Sequence, residues 1–173
     1  MSSSNWVGIV AFDASHDCTA FSTGLASVDA WFPAKALPEQ LAGRMVTHVC
    51  LDEDGGVVAF YSVKHIIVSL DGTSRRIQET EETGGMTTGL LIAQMGVRSD
   101  LQDNGMGTRV LHSAMKHSVT LHMGAPFKLL VVDAENPSLV SFYEHRGFAP
   151  LSNDLRMVMK MSAVRKVVAQ LGA

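Results

Sequence analysis

The passage that most constrains this chain is a strand, a loop and a helix near its centre. Leu90–Val97 is a near-continuous apolar run, the pattern of a strand buried on both faces. The loop Gln102-Asp-Asn-Gly-Met-Gly-Thr108 follows. Met106, Val110, Leu111, Ala114, Ser118 and Leu121 then mark one face of an amphipathic helix. A helix start presents amide N–H groups without intrahelical partners, together with the positive end of the dipole, so an anion binds there readily. Gly105 and Gly107 remove side chains that would hold a phosphate away from those amides, and Arg109 stands one turn further in. There is no third glycine of a dinucleotide fingerprint and no Gly-Lys-Ser/Thr of a P-loop. The phosphate therefore belongs to another kind of cofactor.

Around this passage the pattern predicts a mixed α/β sheet. Ile9–Phe12 reads as a first strand. Ser22–Leu41 reads as helical, with Leu25, Val28, Trp31 and Phe32 on one face and Pro33 and Pro38 dividing it into two short helices. Val46–Leu51 and Val57–Val63 flank a turn-rich Asp52–Gly56, a hairpin signal, and His65–Leu70 continues the antiparallel sheet. Asp71–Gly89 is polar and reads as a loop, either mobile or an ordered flap. Lys128–Asp133 is a second buried strand. Pro137–His145 is a helix with Pro at its start and Gly147 after its end, Leu155–Met161 a last strand and Ser162–Leu171 a terminal helix. Alternation in Met157–Met161 suggests one packed face. Antiparallel strands followed by strand–helix–strand–helix–strand imply one α/β domain over residues 1–173.

Composition narrows the function. The chain has 173 residues and a formal charge of −3, so it carries no general basic field for coating nucleic acid. No apolar run reaches the ~18 residues of a membrane span, and the polar start lacks a secretory pattern. Cys18 and Cys50 stand alone, in keeping with a reduced, cytoplasmic chain. No Cys/His cluster has metal-site spacing, and His117 and His122 lack a third ligand nearby in sequence, so no metal is expected.

Two motifs in order resemble the GCN5-related N-acetyltransferase (GNAT) family. Gln102-Asp-Asn-Gly-Met-Gly107 matches its Arg/Gln-x-x-Gly-x-Gly/Ala signature. Asn136-Pro-Ser-Leu-Val-Ser-Phe-Tyr-Glu-His-Arg-Gly-Phe148 matches its Asn-x-x-Ala-x-x-Phe-Tyr-x-x-x-Gly-Phe signature, with Leu139 in place of Ala. The resemblance implies a mostly antiparallel sheet with flanking helices, splayed around acetyl-coenzyme A. It implies that Gln102, Asp103, Asn104, Gly105, Met106, Gly107 and Thr108 hold the pyrophosphate. Backbone groups of Met95, Gly96 and Val97 would pair with the pantetheine, which Asn136 helps to hold. Tyr143 would lie near the thioester sulfur and supply a proton to the departing thiolate.

A narrower resemblance links Phe21–Phe32, Gln94-Met-Gly-Val97 and Ser141-Phe-Tyr-Glu144 to the acetyltransferase toxins of bacterial toxin–antitoxin pairs. It implies aminoacyl-tRNA as acceptor, a ribbon–helix–helix antitoxin as partner, and a homodimer. The loop flank Ser99–Asn104 is acidic, as are Glu79, Glu81 and Glu82, which leaves Lys35, Arg44, Arg75, Arg76, Arg98 and Arg109 as candidate phosphate-backbone contacts. The alternatives are acetylation of a small-molecule or peptide amine, and an acetyl-coenzyme A-binding module without activity.

The chemistry needs a neutral amine, a stabilised oxyanion and a proton for the thiolate. The backbone amide at Met95 or Gly96 would polarise the carbonyl. No carboxylate base stands on the strand, where Gln94 sits instead. An α-amine, with a reference pKa of about 7.7–8.0, needs a base less than lysine does. His48 and His65 are the candidate bases. His112 and His117 read as solvent-facing.

Overall fold

The computed structural model describes residues 6–152 and 155–172. The described residues form seven strands and five helices: β1 (Gly8–Ala11), α1 (Ala26–Leu41), β2 (Val46–Leu51), β3 (Val57–Ser69), α2 (Arg75–Gln78), β4 (Met86–Val97), α3 (Met106–Gly124), β5 (Leu129–Asp133), α4 (Pro137–Glu144), β6 (Ala149–Pro150), β7 (Arg156–Lys160) and α5 (Met161–Leu171). The strand order is β1-β2-β3-β4-β5-β7-β6. β4 and β5 pair in parallel, whereas β1–β2, β2–β3, β5–β7 and β6–β7 are antiparallel. This is the mixed, mostly antiparallel sheet that the motif order implies.

The chain clusters into two compact units. Residues 1–64 and 93–113 form one, and residues 65–92 and 114–173 the other.

In the first unit, Asp52 closes the β2–β3 turn by accepting from the N–H of Asp54 at 3.0 Å and of Gly56 at 2.8 Å. Phe12, Val28, Phe32, Ala36, Val49, Val57 and Phe60 form a buried cluster, with Phe21 and Trp31 packed against it. The Phe32 and Phe60 rings stand 4.3 Å apart. This cluster explains why α1 is one helix and not two. Pro33 and Pro38 each remove a helical hydrogen bond, but both lie on the exposed side. Val28, Phe32 and Ala36 are buried on the other side and keep the helix continuous.

In the second unit, residues 71–85 form an ordered flap, and residues 86–89, expected to be loop, already belong to β4. Ser74 caps the short α2, and Ile77 is buried. Threonine hydroxyls tie the flap together: Thr73 donates to Leu70 O, Thr80 to Ile77 O and Thr87 to Thr80 O, at 2.7, 2.7 and 2.6 Å. Polar composition alone could not separate this from a mobile loop, because the polar groups satisfy one another. Met157, Val158 and Met159 are all buried, so β7 has two packed faces where alternation suggested one. The two-residue β6 contains Pro150 and was beyond reach of a pattern search.

Phe32→Ala removes a fully buried ring from the first unit's core. It is expected to cost about 3–5 kcal/mol in urea or thermal unfolding. A loss below about 1 kcal/mol would mean that the cluster does not hold α1.

Candidate active site

The loop after β4 is built entirely from groups of the first unit. Arg98 N–H donates to Val58 O at 2.9 Å, and Ser99 N–H to Ser22 O at 2.8 Å. A short 3-10 turn, Ser99–Leu101, buries Leu101. The chain then reverses through two residues with positive φ, Asp103 at 68° and Gly105 at 75°. Asp tolerates that conformation better than most side chains, and Gly adopts it without penalty. Arg109 N–H bonds Gly105 O at 3.1 Å, which starts the ladder of α3. Met106 and Gly107 lie in the turn before that ladder, where amides have no intrahelical acceptor. Gln102, Asp103, Asn104 and Gly105 are exposed, Gly107 and Thr108 are half-buried, and Met106 anchors the turn in the core. These are the properties of an oxyanion cradle.

Gln102 has a role that the motif does not disclose. Its Nε2 donates to Thr23 O at 2.7 Å and to Val97 O at 2.9 Å. Its side chain braces the loop, so what it can offer a phosphate is backbone. Thr23 is in turn fixed by Asp29. That carboxylate accepts from Ser22 Oγ at 2.9 Å, Thr23 N–H at 2.7 Å, Thr23 Oγ1 at 2.8 Å and Gly24 N–H at 3.1 Å. Burial works to raise the Asp29 pKa, but the bonds from Thr23, Ser22 and Gly24 outweigh it and hold the carboxyl below its ordinary range.

Gly96 is required by space. A Cβ there would lie 2.7 Å from Thr23 Cγ2, 2.9 Å from Phe60 Cε1 and 3.2 Å from Val28 Cγ1. Met95 is half-buried and Val97 buried. The pairing of β4 with β5 runs from Gly89↔Leu129 to Ile92↔Val132, and β4 itself continues to Val97.

Asn136 and Tyr143 belong to the second unit. Asn136 is the N-cap of α4: its Oδ1 accepts from Leu139 N–H at 3.2 Å and from the Ser138 hydroxyl. Its Oδ1 is therefore committed to the helix, and Nδ2 is what it can present to a ligand. Tyr143 is 6% exposed, with Phe142 and Phe148 edge-on at 5.2 and 5.6 Å. Among the described residues its hydroxyl makes no hydrogen bond. A tyrosine kept for packing would have its hydroxyl on a backbone acceptor. Burial, and then the carboxylates of Glu135 and Asp133, push its pKa up to about 12, so it holds its proton at neutral pH.

The candidate bases have structural surroundings. His48 stacks on Tyr61 at 5.3 Å, and the exposed His65 meets Phe127 edge-on at 5.6 Å. His112 and His117 are half-buried and not solvent-facing as expected, and burial lowers the His117 pKa. The reason is that α3 is covered over a wider arc than its apolar stripe alone indicates. Arg109 lies 4.2 Å over the Trp6 ring and donates to Trp6 O at 3.1 Å. Cys18 and Cys50 are unpaired, and burial raises the Cys50 thiol to about 12. Among the described residues no three His, Cys, Asp or Glu stand together as a metal site, and no helix is long and apolar enough to cross a membrane.

No family model matches the chain. The probable toxin TacT of Sinorhizobium fredii is 26% identical over 162 residues, covering 88% of this chain and 90% of that protein. A tRNA-acetylating toxin of Mycobacterium tuberculosis is 24% identical over 153 residues, with 88% and 90% covered. Among solved structures, AtaT complexed with acetyl-methionyl-tRNAfMet superposes with a TM-score of 0.84 at 14% identity, over 92% of this chain and 98% of that one. AtaTR bound with acetyl-coenzyme A superposes with a TM-score of 0.81 at 15% identity, over 92% and 96%.

Two substitutions test the local account. Gly96→Ala is expected to cost about 1–3 kcal/mol in unfolding free energy, because Thr23, Phe60 and Val28 must all give way. A neutral effect would show that the crowding is relieved cheaply. Asp29→Asn tests the anchor through pH. A carboxyl with a depressed folded pKa stabilises above its unfolded pKa, and that stability is lost as pH falls through the folded value. The Tm gap between wild type and Asp29→Asn should therefore be full at neutral pH and close as pH falls below the ordinary aspartate range. A gap independent of pH would contradict the anchor.

Proposed function

On the premise that this chain has the fold of the GNAT acetyltransferases and shares its sequence pattern with their toxins, we propose that it moves an acetyl group from acetyl-coenzyme A to the α-amine of an aminoacyl-tRNA. The observation that carries this reading is the Tyr143 hydroxyl, which sits on a buried ring, is protonated at neutral pH and is bonded to no other group among the described residues. The loop 102–108 supports it, since its exposed, glycine-bearing turn at a helix start suits a pyrophosphate.

In this reading the backbone of Asp103 to Thr108 receives the pyrophosphate. Met95, Gly96 and Val97 present strand backbone to the pantetheine amides, and Asn136 presents Nδ2. Gln102 holds the loop in shape. The amine nitrogen attacks the thioester carbonyl, the C–S bond breaks, and the thiolate takes the Tyr143 proton. Water removes the proton that the amine gives up, and another restores Tyr143. No side-chain base is placed on β4, which carries Gln94, and an α-amine is in part already neutral at pH 7. The similarity to a tRNA-acetylating toxin favours tRNA over small amines as the acceptor. A ribbon–helix–helix antitoxin and a second copy of the chain are the partners that this reading assigns.

A free-thiol release assay on charged tRNA, polyamines, peptides and aminoglycosides is the test. Turnover is expected on charged tRNA, and Tyr143→Phe should lower kcat by about 10²–10⁴ while leaving the Tm within a degree or so. Turnover on free amines but not on charged tRNA would reassign the acceptor. Full activity of Tyr143→Phe would remove the tyrosine from the chemistry.

A further inference from the structure

Half of the cations that the sequence offered for an RNA backbone, Arg44, Arg98 and Arg109, are committed elsewhere. Arg44 pairs with Glu39 at 2.8 Å. Arg98 pairs with Asp100 at 2.7 Å and faces Asp52 at 3.8 Å. Arg109 is held by Trp6. All three belong to the first unit, which carries nine carboxylates against five Lys and Arg. A guanidinium paired with a carboxylate, as in Arg44 and Arg98, adds little to the binding of a polyanion, and Arg109 is turned toward Trp6.

Uncompensated positive charge lies in the second unit, around a cavity of about 300 Å³. Lys128, Lys160 and Arg165 line it, with Ser162, His122 and Glu79. Lys160 has Glu79 at 3.6 Å, and among the described residues neither Lys128 nor Arg165 has an ion pair. One carboxylate thus faces three cations. The His122 Nδ1 accepts from Phe127 N–H at 3.4 Å, so in the neutral ring Nε2 carries the proton and is a donor. Helix α5 starts on the same wall. Met161 N–H donates to Lys128 O at 2.9 Å, and the first turn of α5 contains no acidic residue to oppose an anion. Arg75 and Arg76 are exposed on α2, which leads into Glu79 and Thr80 of this wall. At ~30 Å³ per liquid water the cavity has room for an oxyanion and its hydration.

We propose that this notch takes a phosphate group of the acceptor RNA's backbone; the proposal rests on the tRNA reading above. The notch flanks the start of β5, and Asn136 follows the end of that strand. Five residues at ~3.3 Å each put roughly 17 Å between the two ends. The contact thus lies about one strand length from the end of β5 that leads to Asn136, and a phosphate contact reads no amino-acid identity: it positions the nucleic acid.

The test is the double variant Lys128→Gln/Arg165→Gln in the full chain. The KM for charged tRNA should rise about tenfold or more, and the slope of log affinity on log salt should fall by about 1 per cation removed. The KM for acetyl-coenzyme A and transfer to methionine amide should not change, which separates the notch from the cofactor loop and from misfolding. An unchanged tRNA KM and salt slope would overturn the proposal. Titration with inorganic phosphate distinguishes the source: saturation of the wild type by phosphate, with unaltered RNA affinity in the variant, would assign the notch to a free anion and also overturn it. If wild type acetylated no charged tRNA, the function reading would fail by itself. The notch would then be judged by anisotropy with labelled, uncharged tRNA, where equal affinity of wild type and variant sinks it.

Discussion

The first unit depends on one carboxylate. Asp29 gathers donors from Ser22, Thr23 and Gly24 and fixes that segment at the start of α1. The fixed segment presents three surfaces. Ser22 O receives Ser99 N–H, Thr23 O receives the Gln102 amide, and Thr23 Cγ2 closes on Gly96. The end of β4 and the loop after it are thereby held in one backbone shape, which the proposed function uses as a cradle ordered before the phosphate arrives. Pre-organisation of this kind lowers the entropic cost of binding.

The second unit uses different means for its functional groups. Asn136 caps α4 and so sets where the helix begins, and Tyr143 lies seven residues later on the same short helix. Aromatic neighbours bury the ring, and two carboxylates add to the burial in holding the phenol protonated. The cap and the tyrosine proposed as the acid are thus coupled by the rigidity of one element. The basic notch lies at the other end of β5, where positive charge is left largely unopposed. An acidic chain can still present a local phosphate site, because phosphate contacts act over little more than a Debye length.

What the sequence disclosed follows the range of each interaction. The loop 102–108, the helix opening at Pro137 and the motif that carries Asn136 and Tyr143 are local patterns, legible in the sequence, whereas the capping role of Asn136 is seen only in the structure. Gln102 was legible as a motif residue but not as a brace, since Thr23 stands 79 residues away. The Asp29 anchor left a trace, Ser22-Thr23-Gly24 ahead of an acid in the first turn of a helix, that a search for capping signals can find. Pro33 and Pro38 argued for two helices because propensity is local, whereas the burial of Val28, Phe32 and Ala36 is tertiary. Among the candidate RNA contacts Lys35, Arg44, Arg75, Arg76, Arg98 and Arg109, the partners of Arg44, Arg98 and Arg109 are visible only in the structure.

Acetylation of an aminoacyl α-amine is tested most directly by mass spectrometry of aminoacyl-adenosine released from charged tRNA after incubation with the protein and isotopically labelled acetyl-coenzyme A. One labelled acetyl group on the amino acid nitrogen is expected, absent with Tyr143→Phe. Label on the RNA bases, on the protein alone or nowhere, from protein shown to bind acetyl-coenzyme A, would contradict it.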